Sequence, residues 1–309
     1  MATRDGDNWV ETLCEAEGLP AHYIDTVRDF VAPLAQQIRG LQRVADRPVL
    51  IGLAGAQGSG KSTFARFLAN WLTREFELSS VCLSIDDLYF GRAIRATMAA
   101  SVHPLLATRG VPGTHDVELG HRTLDALTDT TSDAVITLPA FDKANDDHSP
   151  EANRPRVQTP VTVVLFEGWC VGARPQDPAA LVTPVNALEA NADLTGAWRR
   201  FVNDRLAQEY AKLFARLDAL VMLRVPGFEK VFDWRLEQEQ KLRARLRDHA
   251  PPGAAPGGQS DDELAIFVMY YERLTRHMLE TMPDYADTVI DIDAGHRFVT
   301  MTTNGWGQA

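Results

Sequence analysis

The chain reads LIGLAGAQGSGKST from Leu50 to Thr63. The pattern G-x-x-x-x-G-K-S lies within it, after an apolar run, Pro48–Ala54, that has the composition of a buried strand. The following residues, Lys61–Phe76, carry apolar side chains at the spacing of one helix face. A glycine-rich turn between a strand and a helix binds phosphate through its backbone N–H groups and the helix N-terminus. The predicted phosphate-binding loop consists of Gly55, Ala56, Gln57, Gly58, Ser59, Gly60, Lys61, Ser62 and Thr63.

Two side chains of this loop have specific predicted roles. Lys61 reaches the β- and γ-phosphates of ATP, and the Ser62 hydroxyl binds Mg²⁺. Glu167 ends a later run rich in valine and leucine, at the position of the carboxylate that assists the metal directly or through water. The sequence therefore predicts a Mg²⁺ site at Ser62 and Glu167. The alternative for Glu167 is a carboxylate at a strand end that caps a neighbouring loop.

Short apolar runs alternate with longer amphipathic segments along the chain. Predicted strands lie at Pro48–Ala54, Ser80–Ile85, Pro160–Glu167, Ala219–Val225 and Thr288–Ile292. Predicted helices lie at Trp9–Gly18, His22–Gly40, Lys61–Phe76, Val117–Leu127, Ala197–Leu217, Phe228–His249 and Asp262–Met282. This alternation predicts an α/β fold in which helices cover both faces of a parallel sheet.

The predicted organisation has one main domain. An N-terminal helical extension precedes it, and a tail of weak periodicity, expected to be partly disordered, follows it. The predicted boundaries are 1–47 for the extension, 48–294 for the nucleotide-binding domain, 90–158 for a substrate-binding insertion, 228–260 for a lid helix and loop, and 295–309 for the tail.

Charge and composition exclude several classes of function. The net charge of −11 argues against a general binder of nucleic acids or membrane surfaces. No apolar run approaches the roughly 18 residues of a membrane span, and Met1–Asn8 is too polar for a targeting peptide. Cys14, Cys82 and Cys170 are far apart, as expected in a reducing compartment. These features predict a cytoplasmic protein without a nucleic-acid or membrane partner.

Two aspartates, Asp86 and Asp87, follow the second predicted strand. Ligands of an open parallel sheet bind beyond the carboxyl ends of its strands, so these residues should meet the phosphate-binding loop and Glu167 in one crevice. A carboxylate there can orient an acceptor hydroxyl and accept its proton. Asp86 is the preferred candidate for this base. Asp87 is the competing candidate, or it lies near the metal.

The insertion contains two segments that mix turn residues with hydrogen-bonding side chains: RGVPGTHD at Arg109–Asp116 and PAFDK at Pro139–Lys143. Such loops commonly bind substrates. Arg109 and Lys143 are candidates to neutralise an acidic acceptor, and His115 and Asp116 are candidates to bind hydroxyl groups. A solvated surface loop with a capping aspartate has a similar composition.

The helix predicted at Phe228–His249 is rich in basic residues, among them Arg235, Lys241 and Arg243. Glutamates four residues before Lys241 and Arg243 make a solvated helix with internal ion pairs one interpretation. The other interpretation is a lid whose arginines close on the phosphates and exclude water. The glycine- and proline-rich loop Pro251–Ser260 favours such a movement.

These motifs together resemble the P-loop kinases grouped with uridine kinase, phosphoribulokinase and pantothenate kinase. Within that group the chain is most similar to D-glycerate 3-kinase and its bacterial relatives, over Pro48–Asp293. The resemblance is carried by AQGSGKST at Ala56–Thr63, SIDDLY at Ser84–Tyr89, RGVPGTHD at Arg109–Asp116, FDK at Phe141–Lys143, FEGW at Phe166–Trp169, VN at Val185–Asn186 and DWRLEQE at Asp233–Glu239.

The resemblance implies an ATP-dependent kinase that converts D-glycerate to 3-phosphoglycerate. It implies that Asp86 is the base and that the basic helix belongs to a lid. Lys61 is the second predicted catalytic residue, because its charge faces the transferring phosphoryl group. The residues implied at the acceptor site are Asp86, Tyr89, Arg109, Thr114, His115, Asp116 and Lys143; those of the lid are Arg235, Lys241 and Arg243.

One segment departs from the family pattern. After Lys143 the chain reads ANDDHSP, whereas the plant and fungal pattern is richer in glycine and arginine. This segment lies near the expected acceptor site, so pantothenate, a nucleoside and a sugar phosphate remain alternative acceptors for the same chemistry. A nucleotide-hydrolysing switch protein is the rival from a different class. The Asp-Asp-Leu-Tyr motif and the large insertion argue against that rival.

Overall fold

The computed structural model describes residues 8–249 and 260–306 of the chain. Its strands are β1 Val49–Gly55, β2 Ser80–Ser84, β3 Val135–Thr137, β4 Phe141–Asp142, β5 Asp147–His148, β6 Arg156–Gln158, β7 Val163–Gly168, β8 Ala219–Arg224, β9 Thr288–Ile292 and β10 Phe298–Thr303. Its α-helices are α1 Asn8–Ala16, α2 Tyr23–Thr26, α3 Ala32–Ala45, α4 Lys61–Phe76, α5 Arg92–Ser101, α6 Val117–Thr128, α7 Ala187–Ala192, α8 Ala197–Arg205, α9 Ala211–Phe214, α10 Phe228–His249 and α11 Asp261–Thr281. Short π-helical turns at Val27–Val31 and Leu206–Tyr210 join α2 to α3 and α8 to α9.

A central sheet of six strands has the order β10-β9-β8-β1-β7-β2. Its strands run parallel, except that β10 is antiparallel to β9. The strands β1 and β7 are buried along their whole length, because helices cover both faces of the sheet. The predicted α/β fold with a parallel sheet is therefore confirmed, and β1 leads directly into the phosphate-binding loop.

The apolar core lies on both sides of this sheet. On one side, α1, α3 and α4 share a cluster that includes Val10, Leu34, Phe64 and Leu68. On the other side, α6, α9 and α11 pack on Leu50, Val164 and their neighbours. Burial of each large apolar side chain contributes roughly 1.5–3 kcal/mol, so the N-terminal helices stabilise the sheet directly. The proposed boundaries between extension, domain and tail remain predictions.

Three features of the chain differ from the prediction or add to it. The tail, expected to be partly disordered, instead forms β10 at Phe298–Thr303, where Phe298 stacks on Phe64 with ring centroids 5.3 Å apart. The insertion contains the unpredicted helix α5. It also contains strand β4, which pairs with β5, and strand β3, which pairs with β6. The pairing of β3 with β6 joins segments that are distant in sequence, and β4 and β5 have only two residues each, so local periodicity does not reveal these strands.

Within residues 8–249 and 260–306, no helix has both the length and the apolar character needed to cross a membrane. Cys14, Cys82 and Cys170 are free thiols.

Candidate active site

The glycine-rich loop adopts a backbone that only glycine takes without strain at two positions. Gly58 and Gly60 have φ angles of 81° and 82°, in the left-handed region. At Gly58 a side chain would also approach Cβ of Trp234 to 3.0 Å. Gly60 precedes the first residue of α4, so the loop ends at a helix N-terminus with its unpaired N–H groups and partial positive charge. This geometry is suited to binding phosphate.

A cavity of about 370 Å³ lies beside this loop, at the carboxyl ends of the parallel strands. Its size is that of a pocket for a small ligand. From the loop, the wall contains Gln57, Gly58, Gly60, Lys61, Ser62 and Thr63. The rest of the wall contains Asp86, Tyr89, Arg109, Lys143, Trp169, Arg235, Phe267 and Tyr271. The structure thus brings the predicted loop together with Asp86, Tyr89, Arg109, Lys143 and Arg235.

Ser62 and Glu167 meet at the base of the loop. The Ser62 hydroxyl donates to Oε1 of Glu167 at 2.9 Å. Glu167 is only 6% exposed, so its carboxylate has little access to water. Its Oε2 is buried and has no hydrogen-bond partner among the described residues. An unpaired buried carboxylate oxygen is costly, and a bound cation would offset that cost.

The donor set at this position fits Mg²⁺, which prefers oxygen ligands and usually retains several waters and phosphate oxygens. In the described part of the chain, no group of three or more His, Cys, Asp or Glu side chains is arranged to hold a metal. The hydroxyl of Ser62 and the carboxylate of Glu167 are therefore suited to a Mg²⁺ that arrives with a nucleotide.

Asp86 lies on the cavity wall between two donors. The Tyr89 hydroxyl donates to Oδ1 at 2.9 Å, and the Lys143 ammonium donates to Oδ2 at 2.5 Å. Burial by itself would raise the pKa of Asp86, but the charges of Lys143 and Lys61 hold it at about 2. The carboxylate is therefore ionised at neutral pH and can accept a hydrogen bond from an acceptor hydroxyl.

Asp87 has a different environment. Its Oδ1 accepts a hydrogen bond from the backbone N–H of Phe141 at 3.1 Å, and its side chain is not part of the described cavity wall. Burial raises the pKa of Asp87 to about 6, and the negative charge of Asp86 adds to this effect. The geometry favours Asp86 over Asp87 as the residue that faces an acceptor.

Arg109 and Lys143 come together on the acceptor side of the cavity. The Arg109 guanidinium bonds to Oδ1 of Asp146 through Nη1 and donates to the carbonyl oxygen of Lys143 through Nη2 at 3.3 Å. It also lies over the ring of Phe141, 5.5 Å from the centroid. The two cations that were predicted to neutralise an acidic acceptor are therefore adjacent.

Three residues predicted at the acceptor site, Thr114, His115 and Asp116, lie outside the described cavity wall. The fully buried Thr114 hydroxyl accepts from the Gly110 N–H and donates to the Val111 carbonyl oxygen, which closes a turn. The Asp116 carboxylate caps α6 by accepting from the backbone N–H of Leu119 at 2.8 Å. Neither side chain is part of the described wall.

His115 is 1% exposed and lies behind the wall. Its Nδ1 is 2.6 Å from the Tyr210 hydroxyl, and its ring stacks on Tyr89 with centroids 4.4 Å apart. Burial lowers the pKa of His115 to about 4, so the ring is neutral at pH 7. His115 therefore supports Tyr89, which in turn donates to Asp86, and it does not face the cavity.

The amino-terminal half of α10 touches the phosphate-binding loop. Arg235 faces the cavity, and Trp234 packs against Gly58. The Trp234 ring lies 3.8 Å from the ring of His296, whose Nε2 is 2.9 Å from the Gly58 carbonyl oxygen. The side chains of Lys241 and Arg243, both predicted in the lid, lie outside the described residues.

Sequence reasoning assigned no role to several residues on or near this wall. Phe267 and Tyr271 belong to α11, where their spacing is that of any buried helix face. Trp169 belongs to the Glu-Gly-Trp motif, and that motif is the sequence feature that could have placed it at the site. Arg95 and Asp146 meet across the insertion, and only the folded chain reveals that contact.

Comparison with known proteins gives a consistent result. No protein-family model matches the chain. The chain is 35% identical over 233 residues to the uncharacterized kinase mug58 of Schizosaccharomyces pombe, covering 73% of this chain and 79% of that protein. It is 30% identical over 243 residues to the chloroplastic D-glycerate 3-kinase of Arabidopsis thaliana, covering 76% of this chain and 48% of that protein. The chain thus spans about half the length of the plant enzyme.

A solved structure named as D-glycerate 3-kinase from Cryptococcus neoformans has the same fold, with a TM-score of 0.70, 21% sequence identity, and coverage of 88% of this chain and 98% of that chain. The fold, the phosphate-binding loop and the similarity to kinases together define an ATP-dependent P-loop kinase. More closely, the chain belongs to the family of P-loop kinases that includes mug58 and the D-glycerate 3-kinase of Arabidopsis thaliana. The resemblance and the kinase activity predicted from the motifs are thereby confirmed.

Proposed function

We propose that this kinase transfers the γ-phosphoryl group of ATP to a hydroxyl of D-glycerate and releases 3-phosphoglycerate and ADP. One observation carries the proposal: the cationic side chains of Arg109 and Lys143 share a cavity of about 370 Å³ with Asp86 and the phosphate-binding loop. A small acceptor with a carboxylate and a hydroxyl matches this arrangement. The names of the relatives from Arabidopsis thaliana and Cryptococcus neoformans support the same acceptor.

Lys61 and the backbone N–H groups of the loop bind the β- and γ-phosphates in this proposal. Ser62 and Glu167 hold Mg²⁺, Glu167 either directly or through water. The metal supplies positive charge that neutralises the phosphate oxygens. Arg235 of α10 lies on the same wall, and in this proposal α10 acts as a lid that shields the phosphates from water.

Asp86 orients the acceptor hydroxyl toward the γ-phosphorus. As the new O–P bond forms and the bond to the bridging oxygen of ADP breaks, the hydroxyl proton passes to Asp86. A carboxylate with a pKa of about 2 is a weak base, so the proton moves late and most of the acceleration comes from alignment and charge stabilisation. Tyr89 contributes by holding Asp86 through its 2.9 Å hydrogen bond.

A cytoplasmic location is part of the proposal. The three free cysteines support it, because unpaired thiols are typical of reducing compartments. The acidic net charge of −11 supports a small-molecule substrate rather than a nucleic acid or an anionic membrane.

The test is ADP formation by the purified protein with Mg-ATP and one acceptor at a time: D-glycerate, pantothenate, uridine or ribulose 5-phosphate. We expect ADP to rise only with D-glycerate, with 3-phosphoglycerate as the product. Lys61→Ala is the control, because loss of its charge should abolish turnover. A rise with another acceptor would replace D-glycerate but keep the kinase mechanism. Steady hydrolysis that no acceptor changes would favour a nucleotide-hydrolysing switch.

A further inference from the structure

A tight turn, Lys143–Asp146, joins β4 to β5 beside the acceptor side of the cavity. The Asp142 carboxylate accepts hydrogen bonds from the backbone N–H groups of Ala144 at 2.9 Å and Asn145 at 3.1 Å. Asp146 ends the turn with a φ angle of 53°, a left-handed conformation that aspartate tolerates better than most residues. These contacts give the turn a defined shape.

The carboxylate of Asp146 is held between Arg95 and Arg109, and the exposed Arg92 lies farther away, with Nε 3.9 Å from Oδ2. Arg95 Nη2 lies 2.7 Å from Oδ2, and Arg109 Nη1 bonds to Oδ1. Burial alone would raise the pKa of Asp146, but the hydrogen bonds and charges of the two arginines lower it. The three charged side chains thus form an ion-pair cluster that joins the turn to Arg109 on the cavity wall.

Arg95 anchors this group. Its side chain is 1% exposed, and its guanidinium donates to the carbonyl oxygens of Phe90 at 2.9 Å, Ala107 at 2.6 Å and Asp146 at 3.0 Å. A guanidinium is stable in a buried position only when its donors and charge are satisfied. Arg95 therefore fixes the backbone before Arg109 and the end of the turn relative to each other.

Arg109 retains the capacity to bind a ligand in this arrangement. Its side chain is 23% exposed and lies on the cavity wall. Its described side-chain hydrogen bonds are to Asp146 and to the Lys143 carbonyl oxygen, and a guanidinium carries more N–H donors than these contacts use. Each contact restricts the rotamers of a long side chain that would otherwise be mobile.

We propose that Asp146, supported by Arg95, is a positioning residue that sets the Arg109 guanidinium for the anionic group of the acceptor. The inference rests on the proposed function, in which Arg109 binds that group. Asp146 itself does not contact the acceptor; it removes the rotamer freedom that Arg109 would otherwise lose on binding. Its effect therefore depends on Arg109 and is specific to the acceptor, not to ATP.

A double-mutant cycle tests this dependence. We expect Asp146→Asn to raise KM for D-glycerate roughly tenfold, with kcat within about twofold and KM for ATP unchanged. In a protein that already carries Arg109→Ala, Asp146→Asn should add little, because the residue on which it acts is absent. Asp147→Asn is the matched control. It changes the adjacent exposed aspartate and should leave both KM values within about twofold.

Asp146→Glu is a second variant that keeps the charge; it should raise KM for D-glycerate less than Asp146→Asn, and it replaces the Asn variant if that protein does not fold. Additive effects of the Arg109 and Asp146 substitutions would overturn the inference. So would a parallel rise in KM for ATP, or a lower KM for the acceptor after Asp146→Asn. If the wild-type protein uses a different acceptor, the D-glycerate assignment fails, and the cycle is measured with the acceptor used. An uncharged acceptor would overturn the inference as well.

Discussion

The Lys143 ammonium and the Asp86 carboxylate form an ion pair, with Nζ 2.5 Å from Oδ2, although the residues are 57 positions apart in the chain. The pair joins the turn after β4 to the carboxyl end of β2. Lys143 thereby contributes to the low pKa of Asp86, together with Lys61. A cation proposed for the acceptor site thus also controls the protonation of the proposed base.

Lys143→Met should move the acid limb of the pH profile toward neutral pH. Without Lys143, burial raises the pKa of Asp86 with less opposition, so Asp86 becomes protonated at higher pH and can no longer accept the acceptor proton. The measurement is kcat/KM for the acceptor between about pH 4.5 and pH 8. The wild-type protein should show no limb from Asp86 in that range, since its pKa is about 2.

Lys212→Met is the control for that profile. It removes a positive charge from the exposed surface of α9, far along the chain from Asp86. We expect the Lys212 variant to keep the wild-type profile. Identical acid limbs in the Lys143 variant and the wild-type protein would contradict the proposed electrostatic role of Lys143.

Asp86→Asn and Asp87→Asn distinguish the two candidate bases. Asp86→Asn should lower kcat by roughly 10² or more while ATP affinity stays nearly intact, because it removes the acceptor of the hydroxyl proton. Asp87→Asn should reduce kcat by only a few fold, since an asparagine Oδ1 can still accept from the Phe141 N–H. The measurements are steady-state kinetics and direct ATP binding. The reverse pattern would assign the base to Asp87.

Asp87 should also influence how stability depends on pH. Its pKa is raised from 3.8 to about 6 in the folded chain. The stabilising contribution of this carboxyl is therefore complete below about pH 3.8 and is lost as the pH rises through about 6. The Asp87→Asn side chain cannot ionise, so the variant does not lose this contribution. Its free energy of unfolding should therefore rise relative to that of the wild-type protein between those pH values, by at most about 3 kcal/mol.

Urea unfolding of both proteins near pH 4 and near pH 7.5 measures most of this gain. The exposed Asp147→Asn is the control, and its difference from the wild-type protein should stay nearly constant with pH. A difference for Asp87→Asn that stays constant or shrinks as the pH rises would show that Asp87 is not held in the environment described above.

The sequence predicts those parts of the site that are built from contiguous residues. The spacing from Gly55 to Ser62 requires a loop between a strand and a helix, and that local pattern contains the backbone geometry of the phosphate site. The strand ends at Asp86 and Glu167 are also predictable, because parallel strands bring their carboxyl ends to one edge. The 2.9 Å contact between Ser62 and Glu167 agrees with this rule.

The acceptor side is less predictable because its contacts are distant in sequence. His115 has the residue type of a ligand-binding group, but Tyr210, 95 positions later, determines that it is buried. The sequence around Arg109 is that of an exposed loop and does not reveal that Asp146 holds the guanidinium. Local pattern gives the type of side chain at such positions, whereas packing between distant segments determines which way it faces.

Glu167→Gln should separate activity from stability. The glutamine keeps the length of the side chain and an oxygen that accepts from the Ser62 hydroxyl, but it removes a buried charge whose second oxygen has no partner among the described residues. Removal of an unpaired buried charge stabilises a protein or leaves its stability unchanged, whereas loss of a metal ligand weakens Mg²⁺ binding. We therefore expect an equal or higher Tm without ligand and a smaller rise in Tm with Mg-ATP.

The same variant should require more Mg²⁺ for half-maximal turnover, by roughly 10-fold to 100-fold. Calorimetry with and without Mg-ATP and a Mg²⁺ titration of activity measure the two effects. Glu151→Gln, at an exposed position, is the control and should change neither. A lower Tm without ligand, combined with an unchanged Mg²⁺ requirement, would mean that Glu167 stabilises the loop through Ser62 and does not serve the metal. The opposite signs expected for stability and activity follow from one feature, the buried oxygen of Glu167 that has no partner among the described residues.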